Sequence, residues 1–367
     1  MLNIIIALFV FCVVLFFYLH IQFHLKTSDD LEIYEIEQAS KDKMEEICDL
    51  RQPVLFDCDE EDLKIIQNSS KSALLENYPV FEIKIRENTW DTNSELYIPL
   101  QLHVAEKLFK EDKMGSYFSE NNGDFLVETG AVKNMLYNDE FLRPHLVSNC
   151  YYDVVFGSAN VQTPFRYEIN YRNYFTVTQG SVHIKLSPPK SSRYLYPVND
   201  YENLEFRSPV NPWSPQSKFK ADFAKIKCLE IVLTPGKFLF IPAYWWYSFK
   251  LADNTSISCF RYRTYMNNIA ICPNLFMSAL QNQNVERKIA KKFVLPKHLS
   301  PSSPVEGNSE TVAANSEINA LNEINVVEDK PLEEEDPLET GIGSTDISSI
   351  PPILLEPGSK DAALHGM

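Results

Sequence analysis

Metal capture and nucleophilic catalysis need side chains in convergent sets, and this chain is sparing with the residues that supply them. Its seven cysteines (Cys12, Cys48, Cys58, Cys150, Cys228, Cys259, Cys272) are scattered without a CxxC pair. That excludes the common zinc-ribbon spacings and gives no disulfide framework. Of the seven histidines, only His103, His145 and His183 fall well inside the folded region, with His298 at its edge. None stands in a His-x-Asp or His-x-Glu pattern, so the two-imidazole, one-carboxylate set that suits ferrous iron is not written as a motif. His183 follows the Gly180 turn in a strand-like run and reads as a strand-face histidine rather than a ligand. Charge excludes another class. From Pro301 onward the chain carries 14 acidic and 2 basic residues, a net of −12 within the total of −16. The remainder is close to balanced, and a non-specific nucleic-acid binder is not expected.

The elements that would carry any site read as mainly β. Short runs rich in aromatic and β-branched residues fill 151–265: YYDVVFG, YFTVTQG, VHIKLSPP, CLEIVLTPG, KFLFIPA, YSFKL and SISCFRYRTY. Gly or Pro punctuates most of them, the pattern of a sandwich or barrel. Upstream, LEIYEI (31–36) alternates like a short strand, Ser40 begins a capped helix through Leu50, and QPVLFD (52–57) is a buried strand. EEDLKIIQ suggests a helix, Leu96–Phe109 has helical spacing, and Asp139–Leu146 is a short helix or turn carrying Pro144. After the strands, 266–292 reads as one helix with Arg287, Lys288, Lys291 and Lys292 on its later turns as a solvated face.

Both termini differ from this core. IIIALFVFCVVLFFYL (Ile4–Leu19) carries no charge, and apolar residues extend it on either side. A span needs ~20 mainly apolar residues, so 2–23 is expected to be an uncleaved single-pass anchor. No basic n-region precedes it and no A-x-A follows it, against a cleaved signal peptide. Lys26 after the segment leans the rest of the chain toward the cytosolic side. Beyond Phe293 there is no aromatic residue, and 300–367 is expected to be a disordered acidic tail, because such composition cannot bury enough apolar area to offset chain entropy.

The order and wording of the strands resemble the JmjC-like cupins, which share a double-stranded β-helix with the Fe(II)/2-oxoglutarate hydroxylases, and among them the asparaginyl hydroxylase branch. QPVLFD resembles the early Pro-Val strand. VVFGSANVQTPFRYE resembles the strand and loop ending in the first metal motif, and NYFTVTQGSVHIKLSPP the following strand pair. YLYP (Tyr194–Pro197) and Trp213 match the long insert. LTPGKFLFIPAYWWYSFKL (Leu233–Leu251) is the most specific stretch. The resemblance covers roughly 50–265 and implies a cupin (jelly-roll) domain over 28–298, with its core in 150–265 and flanking helices including 266–292.

In that family, iron sits on a His-x-Asp pair and a distal His. TPFRYE aligns on Thr-Pro-x-His-x-Asp so that Arg166 stands for the first His and Glu168 for the Asp, while Tyr247 takes the distal place. An ungapped alignment on Asn173-Tyr174-Phe175 offers Tyr167 and Ile169 instead. Arg166 would repel a metal; paired with Glu168 it would either fill the vacated space or form an exposed pair at the barrel mouth. Val182 stands where the branch's oxoacid-binding lysine belongs, and Lys185 is a substitute that alternation puts on the other face. Thr163, Asn173, Tyr174, Val182, Lys185 and Trp245 are the pocket candidates. The leading expectation is a membrane-tethered cupin with neither catalytic residues nor a cofactor, which binds a protein or small ligand or serves a structural role, and pairs with a second copy through 266–292. The alternatives are a divergent Fe(II)/2-oxoglutarate hydroxylase using Glu168, His183 and a tyrosine, and a sugar-binding cupin.

Overall fold

The computed structural model describes residues 2–37, 40–58, 64, 66–88 and 97–283. The expected tail (300–367), the basic cluster Arg287–Lys292, His298 and most of EEDLKIIQ lie outside the described residues.

The first element is α1 (Leu2–Leu25), 24 residues of high mean hydropathy, long and apolar enough to cross a membrane. It leads into β1 (Tyr34–Ile36) and α2 (Lys41–Cys48). The Ser40 side chain accepts from the Lys43 amide at the start of α2, satisfying one of the free donors of a helix beginning. β2 (Val54–Asp57), α3 (Lys71–Asn77) and β3 (Glu82–Glu87) follow. The stretch expected as helix from Leu96 is in part a strand: β4 (Ile98–Gln101) precedes α4 (Leu102–Glu111). Pro99 is compatible with β4 because this strand lies at a sheet edge and pairs only with β3. After β5 (Tyr117–Ser119) and α5 (Gly123–Glu128), α6 (Val132–Leu142) begins earlier than expected and stops before Pro144.

The strand-rich part holds β6 (Val147–Gly157), β7 (Phe165–Tyr167), β8 (Arg172–Gln179), β9 (Val182–Ser187), β10 (Val198–Asp200) and β11 (Glu205–Ser208). A single turn, α7 (Lys220–Phe223), leads to β12 (Leu229–Leu233), β13 (Lys237–Phe240), β14 (Trp246–Leu251) and β15 (Ser256–Thr264). The long helix expected over 266–292 is two: α8 (Tyr265–Ala270), capped by Thr264, and α9 (Cys272–Gln283), separated at the buried Ile271.

The strands form a nine-stranded sheet, β1-β2-β13-β8-β15-β6-β5-β3-β4, and a six-stranded sheet, β10-β11-β7-β14-β9-β12. Their inner faces meet. Leu55, Val155, Phe175, Leu239 and Ile257 from the larger sheet pack with Val182, Ile184, Leu233, Phe249 and Leu251 from the smaller. Strand alternation sends the intervening residues Phe56, Phe156, Tyr174, Phe240 and Phe260 to the outer face of the larger sheet. There the helices α2–α6 cover them through Met44, Leu102, Leu108, Phe125 and Met135. The result is a β-barrel-like sandwich with helices on one side, and one end of its interior is polar.

Candidate functional site

That polar end begins on β7, whose three residues alternate across the sheet. Phe165 joins an outer cluster with Leu195, Val210 and Trp246, and Tyr167 stacks on Phe206 with ring centroids 5.0 Å apart. Arg166, between them, turns inward. It pairs in register with Tyr247 of β14, and its guanidinium lies 5.6 Å from the centre of the Tyr247 ring. Ile169 packs outside with Phe206 and Ile271. Of the two alignments, Arg166 and Glu168 therefore share the interior end with Tyr247, whereas Tyr167 and Ile169 face away.

Arg166 and Glu168 do not pair with each other, which corrects the expected ion pair. Arg166 is buried and donates through both terminal nitrogens to Glu120, the Nη1–Oε1 bond measuring 2.9 Å. It also reaches Glu205 at 3.4 Å. Arg86 shares both carboxylates: it bonds Glu120 and lies 3.2 Å from Glu205. Glu168 instead accepts from the Tyr247 hydroxyl at 2.9 Å and faces Arg261 at 3.4 Å. Arg261 lies 3.5 Å from Asp153, whose carboxylate holds the backbone amides of Asn121 and Asn122 at 3.0 and 2.7 Å.

The electrostatics follow from this pairing. Burial by itself would raise the Glu120 pKa, but Arg166 and Arg86 hold it down to about 2. Burial works against the charged Arg166, yet Glu120 overrides it and moves its pKa well above the ordinary value. Burial and the neighbouring Glu168 charge keep the Tyr247 phenol protonated far above its usual range. Burial also raises the pKa of Asp153, against the pull of Arg261. Over this network lies a cavity of about 250 Å³ lined in part by Asn121, Arg166, Glu168, Asn170, Glu205 and Arg261. It offers alternating donors and acceptors to a small polar ligand.

The pocket candidates divide. Asn173 sits beside the cavity, accepting from Asn170 at 3.3 Å while its own amide donates to the Ile241 carbonyl. The other five do not line it. Tyr174 points to the helical layer, against Phe56 and Phe240, because it is one residue out of phase with the interior. Lys185 lies on the outer face, paired with Glu230 at 2.9 Å and set over the Trp213 ring. Thr163 spends its hydroxyl on the Phe249 amide. Val182 and Trp245 are packed in the apolar interior, with the Trp245 indole donating to the Ser28 carbonyl.

His103, His145 and His183 do not meet. His183 is exposed on the outer face of β9, opposite Lys250 and Val232. His103 is hydrogen-bonded to the Pro79 carbonyl on α4, and His145 lines a separate cleft beside α1. The set of Glu168, His183 and a tyrosine is thus not assembled. Glu120, Arg86, Glu205, Arg261 and Asp153 escaped the sequence reading. Asp153 and Arg261 did leave a signal, a charge inside an apolar strand run where alternation aims it inward. Glu120, in a loop after a three-residue strand, left none.

The family described as Cupin-like domain matches residues 41–265. Among curated proteins, HSPB1-associated protein 1 of Bos taurus is 30% identical over 103 residues, 28% of this chain and 21% of that protein. The Homo sapiens protein of the same name gives the same identity and coverage. HSPB1-associated protein 1 homolog of Danio rerio is 28% identical over 103 residues, 28% of this chain and 23% of the relative. The chain thus matches about a fifth of the length of these relatives.

Proposed function

This chain belongs to the cupin-like domain family, and on that premise we propose that it is a membrane-anchored member whose barrel end binds rather than oxidises. The observation that carries this reading is the bidentate Arg166–Glu120 pair. In the alignment of TPFRYE on the family motif, Arg166 stands where a metal-binding imidazole belongs. A guanidinium is always cationic and has no lone pair to give a metal. Both its terminal nitrogens are also engaged by carboxylates, so it cannot swing aside without leaving the buried Glu120 to Arg86 alone. Glu168, the one carboxylate in ligand position, is already bonded to Tyr247 and faces Arg261. This donor set does not fit ferrous iron, which wants neutral imidazoles with open positions beside them.

The cavity above the network remains a polar recess suited to a small ligand or to a side chain of a partner protein. The relatives' name describes association with HSPB1, which favours a protein partner, and α1 would hold the module at a membrane. The test is elemental analysis and turnover together. The purified full chain is expected to carry no stoichiometric iron or zinc, and to convert no 2-oxoglutarate to succinate when Fe(II) is added. Stoichiometric metal, or Fe(II)-stimulated turnover lost in Glu168→Gln, would sink the reading.

A further inference from the structure

Among the described residues outside α1, α8 and α9 together expose Tyr265, Ile269, Phe276, Met277 and Leu280, on a face that begins where α1 ends. The last turns of α1 do not hang free. Arg51 donates to the carbonyls of His24 and Lys26 at 3.1 and 3.2 Å, and its guanidinium lies 4.2 Å from the centre of the Phe23 ring. His24 meets the Tyr171 ring at 5.0 Å. The segment that follows is pinned by Ser28, whose amide donates to the Arg51 carbonyl and whose own carbonyl accepts from Trp245. α1 therefore enters the domain through a fixed joint.

Beside that joint, α1 packs against α8. Leu19, His20 and Phe23 form one wall of a cleft of about 500 Å³, with Leu146, Thr264 and Met266 opposite. Helix length sets the depth. A hydrocarbon layer of ~30 Å takes up ~20 helical residues, which from Leu2 ends near Ile21. The α1 residues that face α8 are thus those at the boundary between acyl chains and headgroups. At that level the domain exposes Tyr265 (63%) and Leu146 (74%). α9 continues the surface: none of its residues is buried, and Phe276 (62%), Met277 and Leu280 share its outward side while Leu275 turns inward toward Ile271 and Leu204. Apolar side chains with a tyrosine at this depth are what the interfacial zone favours.

We propose that the α8–α9 face, with Leu146, lies in the phospholipid headgroup and upper acyl region of the bilayer that α1 spans, so that the barrel is fixed at the membrane surface in one orientation. This rests on the anchor reading and goes beyond it, since a span alone does not say which face of the domain meets the lipid. The experiment reconstitutes full-length protein carrying Phe276→Trp into phosphatidylcholine vesicles with plain or brominated acyl chains. Substitution at an exposed position favours a folded variant, and Val232→Trp on β12 is the comparison. The expected result is that brominated lipid quenches most of the emission added at position 276 and leaves that added at 232 unchanged. Protein retained after alkaline carbonate washing but unquenched at 276 overturns the proposal, whether a second copy or another segment of the chain then covers the face. Release of the protein by the wash defeats the anchor reading, and this inference with it.

Discussion

Buried arginines sit in two different parts of this molecule, and Arg166 in one and Arg51 in the other show chemistry that runs in opposite directions. At the barrel end, Arg166 lies among carboxylates, and Glu120 lifts its pKa despite burial. At the joint with α1, Arg51 is likewise buried, but burial dominates and lowers its pKa. Its neighbours are backbone carbonyls and the rings of Phe23 and Tyr171, and its Nε and Nη2 have no hydrogen-bond partner among the described residues. The first cluster neutralises itself and locks the interior. At the joint Arg51 carries positive charge toward the end of an apolar helix and orients it, while its neighbour Arg172 is paired with Asp49. Burial alone thus says little about what an arginine does; the charge of what it faces decides.

The largest expected effect tests the lock. Glu120→Gln keeps the shape but leaves Arg166 and Arg86 to share one fewer carboxylate. Removing one partner of a buried ion pair costs about 3–5 kcal/mol, to be read from urea unfolding of the detergent-solubilised chain. Its pH dependence gives a second check. Because the folded-state pKa of Glu120 is depressed, its stabilisation is full above the ordinary value of 4.5 and is lost as pH falls toward about 2. Asp153, with its raised pKa, contributes the opposite slope; the Glu120 charge is only a minor part of what raises it, so that slope changes little between the two proteins. The parent should therefore lose stability relative to Glu120→Gln across that acidic window. Parallel melting curves through it would break the contrast between the clusters.

Tyr247→Phe comes next. It removes the hydroxyl that Glu168 accepts from and leaves the ring in place. A hydrogen bond to a charged group contributes about 1.5–3 kcal/mol, less than a lost carboxylate because Arg261 still faces Glu168. Arg51→Met tests the other cluster at a similar or smaller size, since it strands two carbonyls at the end of α1; about 1–3 kcal/mol is expected. Its sharper readout is proteolysis of the membrane-reconstituted chain, where cleavage within residues 26–30 should accelerate while the barrel stays protected. Equal protection in both proteins would mean that Arg51 does not hold the joint.

The strands were legible because their chemistry is local. Alternation in β8, β9, β14 and β15 sorts interior from exterior residue by residue, and the Pro-Gly turn before β13 ends one strand and starts the next. β4 was not legible, because Ile98 and Leu100 with Pro99 between them suit an edge strand as well as the start of an apolar helix. The site was half legible. The positions Arg166, Glu168 and Tyr247 do meet at one end, but their partners could not be read from spacing. Glu120 lies 46 residues from Arg166, and only the fold brings them together. The candidates Tyr174 and Lys185 failed for a simpler reason: each sits one place out of phase with the face that lines the interior.

The smallest expected effect calibrates the rest. Lys84 and Asp124 lie 2.7 Å apart, a close ion pair, but their side chains are 41% and 78% exposed. Water has already solvated both charges, and holding two long side chains together costs entropy that offsets most of the attraction. Asp124→Ala should therefore shift stability by less than about 1 kcal/mol, and added salt should erase what shift there is. Glu120→Gln should resist salt, because ions cannot enter between Glu120 and Arg166. The same kind of contact is then worth several-fold different amounts in one protein, and the cause is the solvent around it. A salt-insensitive loss at Asp124 matching that at Glu120 would show that proximity alone sets these energies and would dissolve the distinction between a surface pair and a lock.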